Sequence, residues 1–309
     1  MADSVLTAFL ESTVRTATPL ALAALGETLC ERTGIINLGM EGAIIAGALG
    51  AAVGAATGGV VLGVAGGTLA GFITAAVFAV FVVWLRTDQI ITGTAITLGA
   101  LGLTSALYRI AFGAAGAALT LPTLAPLPIP FLSSIPVVGT VFFRQPLPTY
   151  VAFALAPLCA WFLFRTRLGL IWRATGESPE AVRASGSRPV LVQLAGVLVG
   201  GSLGGFAGAS LVLAQVGTFA DGMSAGRGFI AIAVVALGRW RPYGVLAAAM
   251  LFGASSALQY LFQATGSALP YQLFLALPYM LTLAVLALGA GRGASPATLG
   301  RQVDSHGYS

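Results

Sequence analysis

Residues 169–186, GLIWRATGESPEAVRASG, form the one polar island of any length between long apolar runs, and their reading decides the fold. Widened to 165–188, the stretch holds five arginines and two glutamates in a chain of which only 8% of residues are charged. Arginine-rich connections are retained on the cytoplasmic side during membrane insertion, so this one is expected to be a cytoplasmic loop. Inside it, Ser178-Pro179-Glu180 reads as a helix start. The serine hydroxyl can cap free N–H groups, proline suits the first helical position, and an acid favours the positive end of the helix dipole. Gly186 reads as the stop. The spacing predicts a helix of roughly two turns, with Ala181, Val182 and Ala184 as a small apolar face for a soluble partner.

The rest of the composition agrees with a chain that lives in lipid. Hydrophobic residues make up 57% of the 309 and the mean hydropathy is +0.94, whereas soluble domains average about 45–50% apolar and about 25% charged. Forty-one glycines suit close helix packing in a bilayer, where small residues bring helices together. No separate soluble domain is expected, and residues 1–309 read as one integral-membrane domain. The net charge of +5 comes from arginine alone, because the chain has no lysine. Those arginines cluster in loops, which signals topology and not nucleic-acid binding. Cys30 and Cys159 lie in or beside apolar segments far apart, so they suggest neither a disulfide framework nor a metal site. The only histidine, His306, lies in the polar tail 291–309, which leaves no candidate for histidine acid–base work or a histidine-ligated metal in the membrane. The N-terminus lacks the basic region of a cleaved signal peptide, so the first apolar segment is expected to remain in the mature protein.

At about 20 apolar residues per span, the candidates are residues 5–25, 35–56, 60–85, 90–112, 150–164, 190–215, 222–238, 243–262 and 271–290. The expected fold is therefore all-α, a polytopic bundle with about 8 to 10 spans, some broken or re-entrant. Segment 150–164 is short, and 222–238 is glycine-rich and carries Arg227. With 165–189 inside, the alternation also puts Arg32, Arg86, Arg239, Arg241, Arg292, Arg301 and the tail 291–309 inside, leaving only Arg144 in an outside loop. The long connection 113–149 then lies outside. Its prolines block helix and predict an extended loop, either open to a partner or an ordered cap over the bundle.

A second informative stretch is residues 26–47, GETLCERTGIINLGMEGAIIAG. Glu27, Glu31 and Arg32 read as a short charged turn at the inner surface. Asn37 and Glu41, four apart, read as one face of the next span, with Gly39 and Gly42 beside them. An ionisable group within a span costs roughly 2.5–3.5 kcal/mol on insertion scales, so it normally meets a cavity or a partner. Three roles stay open for Glu41: a packing hydrogen bond through Asn37, Thr33 or a neighbouring helix, a cavity lining, or a proton relay. A purely packing role predicts near-normal function for Glu41→Gln. Asp221 and Arg227 form a second polar cluster, alternatively mere surface residues at a helix start. Residues 34–37 and 226–231 open interrupted segments in the two halves, a weak echo of the duplications that place a transport path near the midplane.

LGETLCERTGIINLGMEGAIIAGA (25–48), TDQIITGTAITLGALGLT (87–104) and RLGLIWRATGESPEAVRASG (167–186) occur in this order along the chain. Together they resemble the permease subunits of ABC importers for simple sugars and nucleosides, a broad family that also holds ribose and branched-chain amino-acid permeases. The resemblance implies that 165–189 is the loop that docks on the ATPase, with Arg173, Gly176, Glu177, Pro179, Ala181 and Gly186 at the matching positions. It also implies that Asn37, Gly39, Glu41, Gly42 and Arg227 are candidates for the translocation path. The form Asn-x-Gly-x-Glu-Gly is that of the nucleoside branch, and branched-chain amino-acid relatives usually lack the glutamate. The implied partners are a cytoplasmic ATPase carrying ATP and Mg, an extracytoplasmic substrate-binding lipoprotein, and a second, non-identical permease. The implied location is the bacterial cytoplasmic (inner) membrane. The chain has no Gly-x-x-x-x-Gly-Lys-Ser/Thr loop, so ATP hydrolysis is expected on another polypeptide and no cofactor on this one. Two other classes fit the sequence less well. An ion-coupled transporter would need more intramembrane carboxylates than Glu41. An intramembrane enzyme would need a catalytic constellation, and neither paired aspartates at metal spacing nor a Gly-x-Ser-x-Gly elbow occurs.

Overall fold

The computed structural model describes residues 2–113, 120–264, 276, 280 and 295–301. The expected span 271–290 and His306 lie outside the described residues, apart from positions 276 and 280. Helix α1 (Ala2–Glu31) is followed by α2 (Met40–Ala79), which runs on as a π-helical turn, Val80–Trp84, and by α3 (Gln89–Phe112). A two-stranded hairpin, β1 (Leu127–Pro128) and β2 (Arg144–Gln145), brackets the short helix α4 (Val138–Phe143). Then come α5 (Leu147–Arg165), α6 (Arg167–Glu177), α7 (Pro179–Ala184), α8 (Pro189–Ser210) with a π-helical turn Leu211–Val216, α9 (Arg227–Leu237) and α10 (Pro242–Ala264). The architecture is an all-α membrane bundle. Among the described residues, five helices are long and apolar enough to cross a membrane.

The longest of these, Met40–Trp84, holds two of the expected spans. At Gly58 and Gly59 the backbone leaves helical geometry, with φ of +81° at Gly59, and the chain turns back on itself. The two arms press together through glycine: a Cβ on Gly66 would lie 2.7 Å from the carbonyl oxygen of Gly50. Sequence hydropathy separates the two spans because the break falls on residues without side chains.

Helix α8 is the axis of the bundle, with 72% of its most apolar window buried against 17–39% for the other candidate spans. Its face Gly200, Gly201, Gly204, Gly205 and Gly208 meets α1 and α2 at backbone distance. This follows from the solvent: lipid tails give apolar side chains no reason to cluster, so helices associate where small residues let backbones approach. Around this seam Leu22, Leu25, Ile44, Phe78, Leu211 and Leu213 are fully buried.

Two groups of contacts mark the ends of the bundle. At one end, α6 and α7 sit with Arg32, the α9–α10 turn and residues 295–301: Thr298 N–H donates to Gly176 O (3.0 Å) and Gly300 N–H to Gly34 O (3.3 Å). At the other end the proline-rich connection is clipped to the end of α8, through Leu121 N–H to Gly217 O (3.0 Å) and Leu124 N–H to Leu213 O (2.7 Å). The prolines predict an extended loop, but its described part, 120–146, contains the short helix α4. Proline removes donors but does not prevent a short helix between prolines. The Tyr150 hydroxyl, donating to Leu127 O (2.7 Å) and accepting from Gln145 N–H (3.1 Å), pins the hairpin to α5.

The seam yields a test. A Cβ on Gly205 would lie 2.7 Å from Gly71 Cα, so Gly205→Val must separate α2 from α8, at a cost of roughly 1–3 kcal/mol or more. Gly102→Ala, whose new Cβ meets nothing within 4 Å, is the matched control. In detergent, melting of the valine variant is expected several degrees below wild type, and melting of the alanine variant close to it.

Candidate functional site

Helix α9 has 11 residues, about 16 Å of rise, roughly half the hydrocarbon thickness. Its C-terminal end lies at the α6–α7 end of the bundle, where Trp240 is gripped by Arg32 and Glu31, so its N-terminus begins deep in the protein. That start is preceded by turns with left-handed backbone at Gly222, Ala225 and Gly226, which makes residues 222–238 the broken segment expected from the glycines. The first N–H groups of such a helix have no intrahelical acceptor.

Glu41 supplies the acceptors. Its Oε1 accepts from Gly226 N–H at 2.7 Å and its Oε2 from Gly228 N–H at 2.6 Å, and the side chain is buried. A Cβ at Gly228 would collide with the Glu41 backbone, so glycine is required for the approach. The carboxylate thus makes a packing contact with a partner 185 residues away, and not with Asn37 or Thr33. Arg227, between the two glycines, turns back on its own helix start, donating to Met223 O (2.9 Å) and Ser224 O (3.0 Å). It lines a cavity of about 150 Å³ with Thr16, Gln259 and Tyr260. Asp221 instead accepts from Ser105 on α3 (2.9 Å), so the expected Asp221–Arg227 cluster divides between two neighbours.

Asn37 and Glu41 do not share a helix face. Helix α2 begins at Met40, and Asn37 lies in the irregular run before it. The Asn37 N–H donates to Glu27 Oε1 (2.8 Å), while its buried carboxamide makes no hydrogen bond among the described residues. Gly39 and Gly42 face α3, where a Cβ on Gly42 would lie 3.2 Å from Ala100 Cβ. Nor are Glu27 and Glu31 a surface turn, since both are buried in the last turns of α1. Glu31 accepts from Trp240 Nε1, and Arg32 donates through Nε and Nη2 to Trp240 O at 3.0 and 2.8 Å. The local charge pattern reads as surface because the partner, Trp240, is remote in sequence.

The loop 165–189 contains two helices, not one. Thr166 caps α6 through Gly169 N–H to Oγ1 (2.9 Å), and Ser178 caps α7 through Ala181 N–H (3.4 Å). Helix α7 ends at Ala184, and Gly186 turns the chain at φ +82°, as the sequence predicts. Its apolar face differs: Val182 and Pro179 are buried inward, and Ala181 and Ala184 are exposed. Arg173 is committed internally, donating to Leu163 O (2.8 Å) with its guanidinium 4.9 Å from the Phe164 ring centroid. Gly176 packs on the Arg32 backbone, and Glu177 Oε2 accepts from Ala297 N–H (3.3 Å). Trp172, which sequence reasoning passed over, ties α6 to α1 through Nε1 to Leu29 O (2.7 Å).

At the opposite end lies a polar cleft of about 860 Å³, lined by Glu11, Arg15, Thr140, Arg144, Gln145 and Gln215 among others. Arg15 Nη2 donates to Ala214 O (3.3 Å) and Gln215 Nε2 to Arg15 O (2.6 Å). The only local sign of it is Glu11 and Arg15, four apart on α1.

Residues 9–286 match the family described as "Branched-chain amino acid transport system / permease component". The chain belongs to this permease family. It is a multi-pass membrane transport subunit and not an enzyme. The nucleoside ABC transporter permease protein NupC of Lactococcus lactis is 35% identical over 289 residues, covering 90% of this chain and 91% of the relative. The guanosine ABC transporter permease protein NupQ of Bacillus subtilis is 33% identical over 310 residues, with 96% of each chain covered. A putative glucose ABC transporter permease protein, TsgC13 of Haloferax volcanii, is 36% identical over 255 residues, covering 81% of this chain and 76% of the relative. No solved structure matches.

The bidentate cap changes what Glu41→Gln does. An amide offers one acceptor and sets its NH₂ against the second glycine N–H, so one buried donor is left unpaired, at about 1–3 kcal/mol. The glutamine variant is therefore expected to melt lower in detergent and to accumulate less in the membrane. Near-wild-type stability of Glu41→Gln would show that the cap carries little of the fold.

Proposed function

We propose that this chain is the permease subunit of an ABC importer for nucleosides, in the cytoplasmic (inner) membrane of a bacterium. Its partners are a cytoplasmic ATPase carrying ATP and Mg, a second, non-identical permease and an extracytoplasmic substrate-binding lipoprotein. The observation that carries the solute class is the end-to-end similarity to permeases named for nucleosides and guanosine. The Asn37–Gly42 motif supports the same branch. The α6–α7 end is cytoplasmic in this reading, following the arginines, and the cleft at Arg15 and Gln215 is the outer vestibule. A polar vestibule suits a solute rich in hydroxyl and ring-nitrogen groups.

In this reading Glu180 and Ala181 on α7, with Gly186 in the turn after it, present the docking surface, and Pro179 and Val182 anchor it to the permease. Force enters at α7 and passes along α6 to Gly176, which sits against the Arg32 backbone. Arg32 holds Trp240 at the foot of α9, and the chain beyond Arg32 leads to Glu41 at the head of α9. Helix α9 is thus gripped at both ends by elements tied to the docking surface. Arg227 and the free carboxamide of Asn37 are the side chains left over for the path, and Glu41, Gly39 and Gly42 frame it. ATP-driven closure of the ATPase pair tilts these elements and alternates access. A second reading, a simple-sugar permease, is favoured by the glucose relative.

Solute class is tested in cells expressing the chain with its partners. Uptake of labelled guanosine is expected to be competed by unlabelled nucleosides and not by glucose. Competition by glucose alone replaces the nucleoside reading with the sugar one.

Coupling is tested separately. Ala181→Arg places a bulky charge in the docking contact, at a cost on the order of 2–5 kcal/mol. The variant is expected to insert normally and the lipoprotein to keep its affinity, while uptake is lost and the ATPase is released or uncoupled. Normal transport with the ATPase bound would reduce the loop to a topological anchor.

A further inference from the structure

Helices α9 and α10 are joined by a turn that no loop propensity explains. Arg239 and Trp240 are both left-handed, with φ of +58° and +53°, a conformation that is strained for a residue with a side chain. The turn keeps this shape because its middle is clamped from inside: Trp240 donates to Glu31, and its carbonyl accepts two bonds from Arg32. With Trp240 drawn into the core, Arg239 and Arg241 flank it on the rim of a groove against α5.

That groove measures about 1210 Å³. Arg165, Arg239 and Arg241 line one end, and Pro157, Ala160, Trp161, Phe164, Leu237 and Tyr243 line the rest. Along α5 it extends from Arg165 back to Pro157, about 12 Å of helix rise. It is therefore cationic at the membrane surface and apolar for more than two turns into the bilayer. Trp161 is 58% and Tyr243 59% exposed, and tryptophan and tyrosine prefer the headgroup level.

We propose that this groove binds an anionic glycerophospholipid of the leaflet at the α6–α7 end, its phosphate between Arg165 and Arg241 and an acyl chain along Trp161 and Pro157. The chemistry is complementary in both parts. Guanidinium groups bind phosphate oxygens through charge-assisted hydrogen bonds, and arginines near an anionic surface attract it. The long apolar wall argues against a soluble protein as occupant, since such a partner would leave it bare. The site rests on the proposed orientation only for which leaflet supplies the lipid, and it is independent of the solute.

The test uses the full-length chain reconstituted into vesicles that contain a small fraction of lipid brominated in the acyl chains, as either phosphatidylglycerol or phosphatidylcholine. Bromine quenches tryptophan on contact, and the Trp161 signal is obtained by difference from Trp161→Phe. Brominated phosphatidylglycerol is expected to quench Trp161 several-fold more than phosphatidylcholine does, while Trp84, 77% exposed and outside the groove, is quenched equally by both. The preference is expected to fall by roughly fivefold per arginine removed in Arg165→Gln/Arg241→Gln, with Trp84 quenching unchanged to show correct insertion. It should persist in Arg188→Gln, an exposed site elsewhere. Equal quenching by the two lipids, or a preference that survives the double substitution, overturns the proposal. Loss of the preference on adding soluble glycerol phosphate shows a site for a free phosphate compound, and no quenching of Trp161 by either lipid shows that protein covers the groove. Either of these also overturns it.

Discussion

A helix that starts inside a bilayer exposes N–H groups where no water can reach them, and each unsatisfied group costs several kcal/mol. Helix α9 begins this way, and most of the unusual chemistry in the bundle answers that one constraint. A neutral cap from its own chain would satisfy one donor. The Glu41 carboxylate satisfies two, at Gly226 and Gly228, and its charge suits the positive end of the helix dipole. An expensive residue in a span is thereby used to offset a larger expense, and the requirement spreads outward. Gly228 must lack a side chain, α2 must begin at Met40, and Gly39 and Gly42 must let α2 settle against α3.

The same device recurs on the other side of the break. Residues 32–39 form an irregular approach to α2, and Glu27 from α1 takes the N–H of Asn37 there (2.8 Å), as Glu41 takes the N–H groups opening α9. In each case an irregular segment leading into a helix is met by a glutamate from another helix, α1 for Asn37 and α2 for the start of α9. The faint sequence echo between residues 34–37 and 226–231 thus has a structural counterpart in how the two segments are held.

What was legible in the sequence was whatever depends on neighbours in the chain. Span limits follow from length and hydropathy, and even the two arms of Met40–Trp84 separate at the glycine pair. The start and stop of α7 are legible because capping acts over three residues. What was not legible depends on contacts far apart in sequence. Glu27 and Glu31 look like surface charges until Trp240 arrives 209 residues later to meet Glu31. Val182 looks like part of a docking face until the fold turns it inward. The cleft at the end opposite α6 and α7 leaves almost no local trace, because Arg15 and Gln215 belong to it only through a contact across 200 residues.

These long contacts also determine how the molecule can move. Arg32 is joined on one side to α6, whose Gly176 touches its backbone too closely for any side chain, and on the other to Trp240 through two hydrogen bonds. Such contacts have little slack, since a packed backbone contact cannot stretch and two charge-assisted bonds break only together. A displacement of α6 therefore shifts the foot of α9 with it, and the Glu41 cap resists any change at the head. Ahead of that cap, the turn at Gly222 carries no such tie, and a Cβ there would meet nothing within 4 Å. In the proposed reading, motion imposed at α7 is taken up at that turn, a few residues before Arg227.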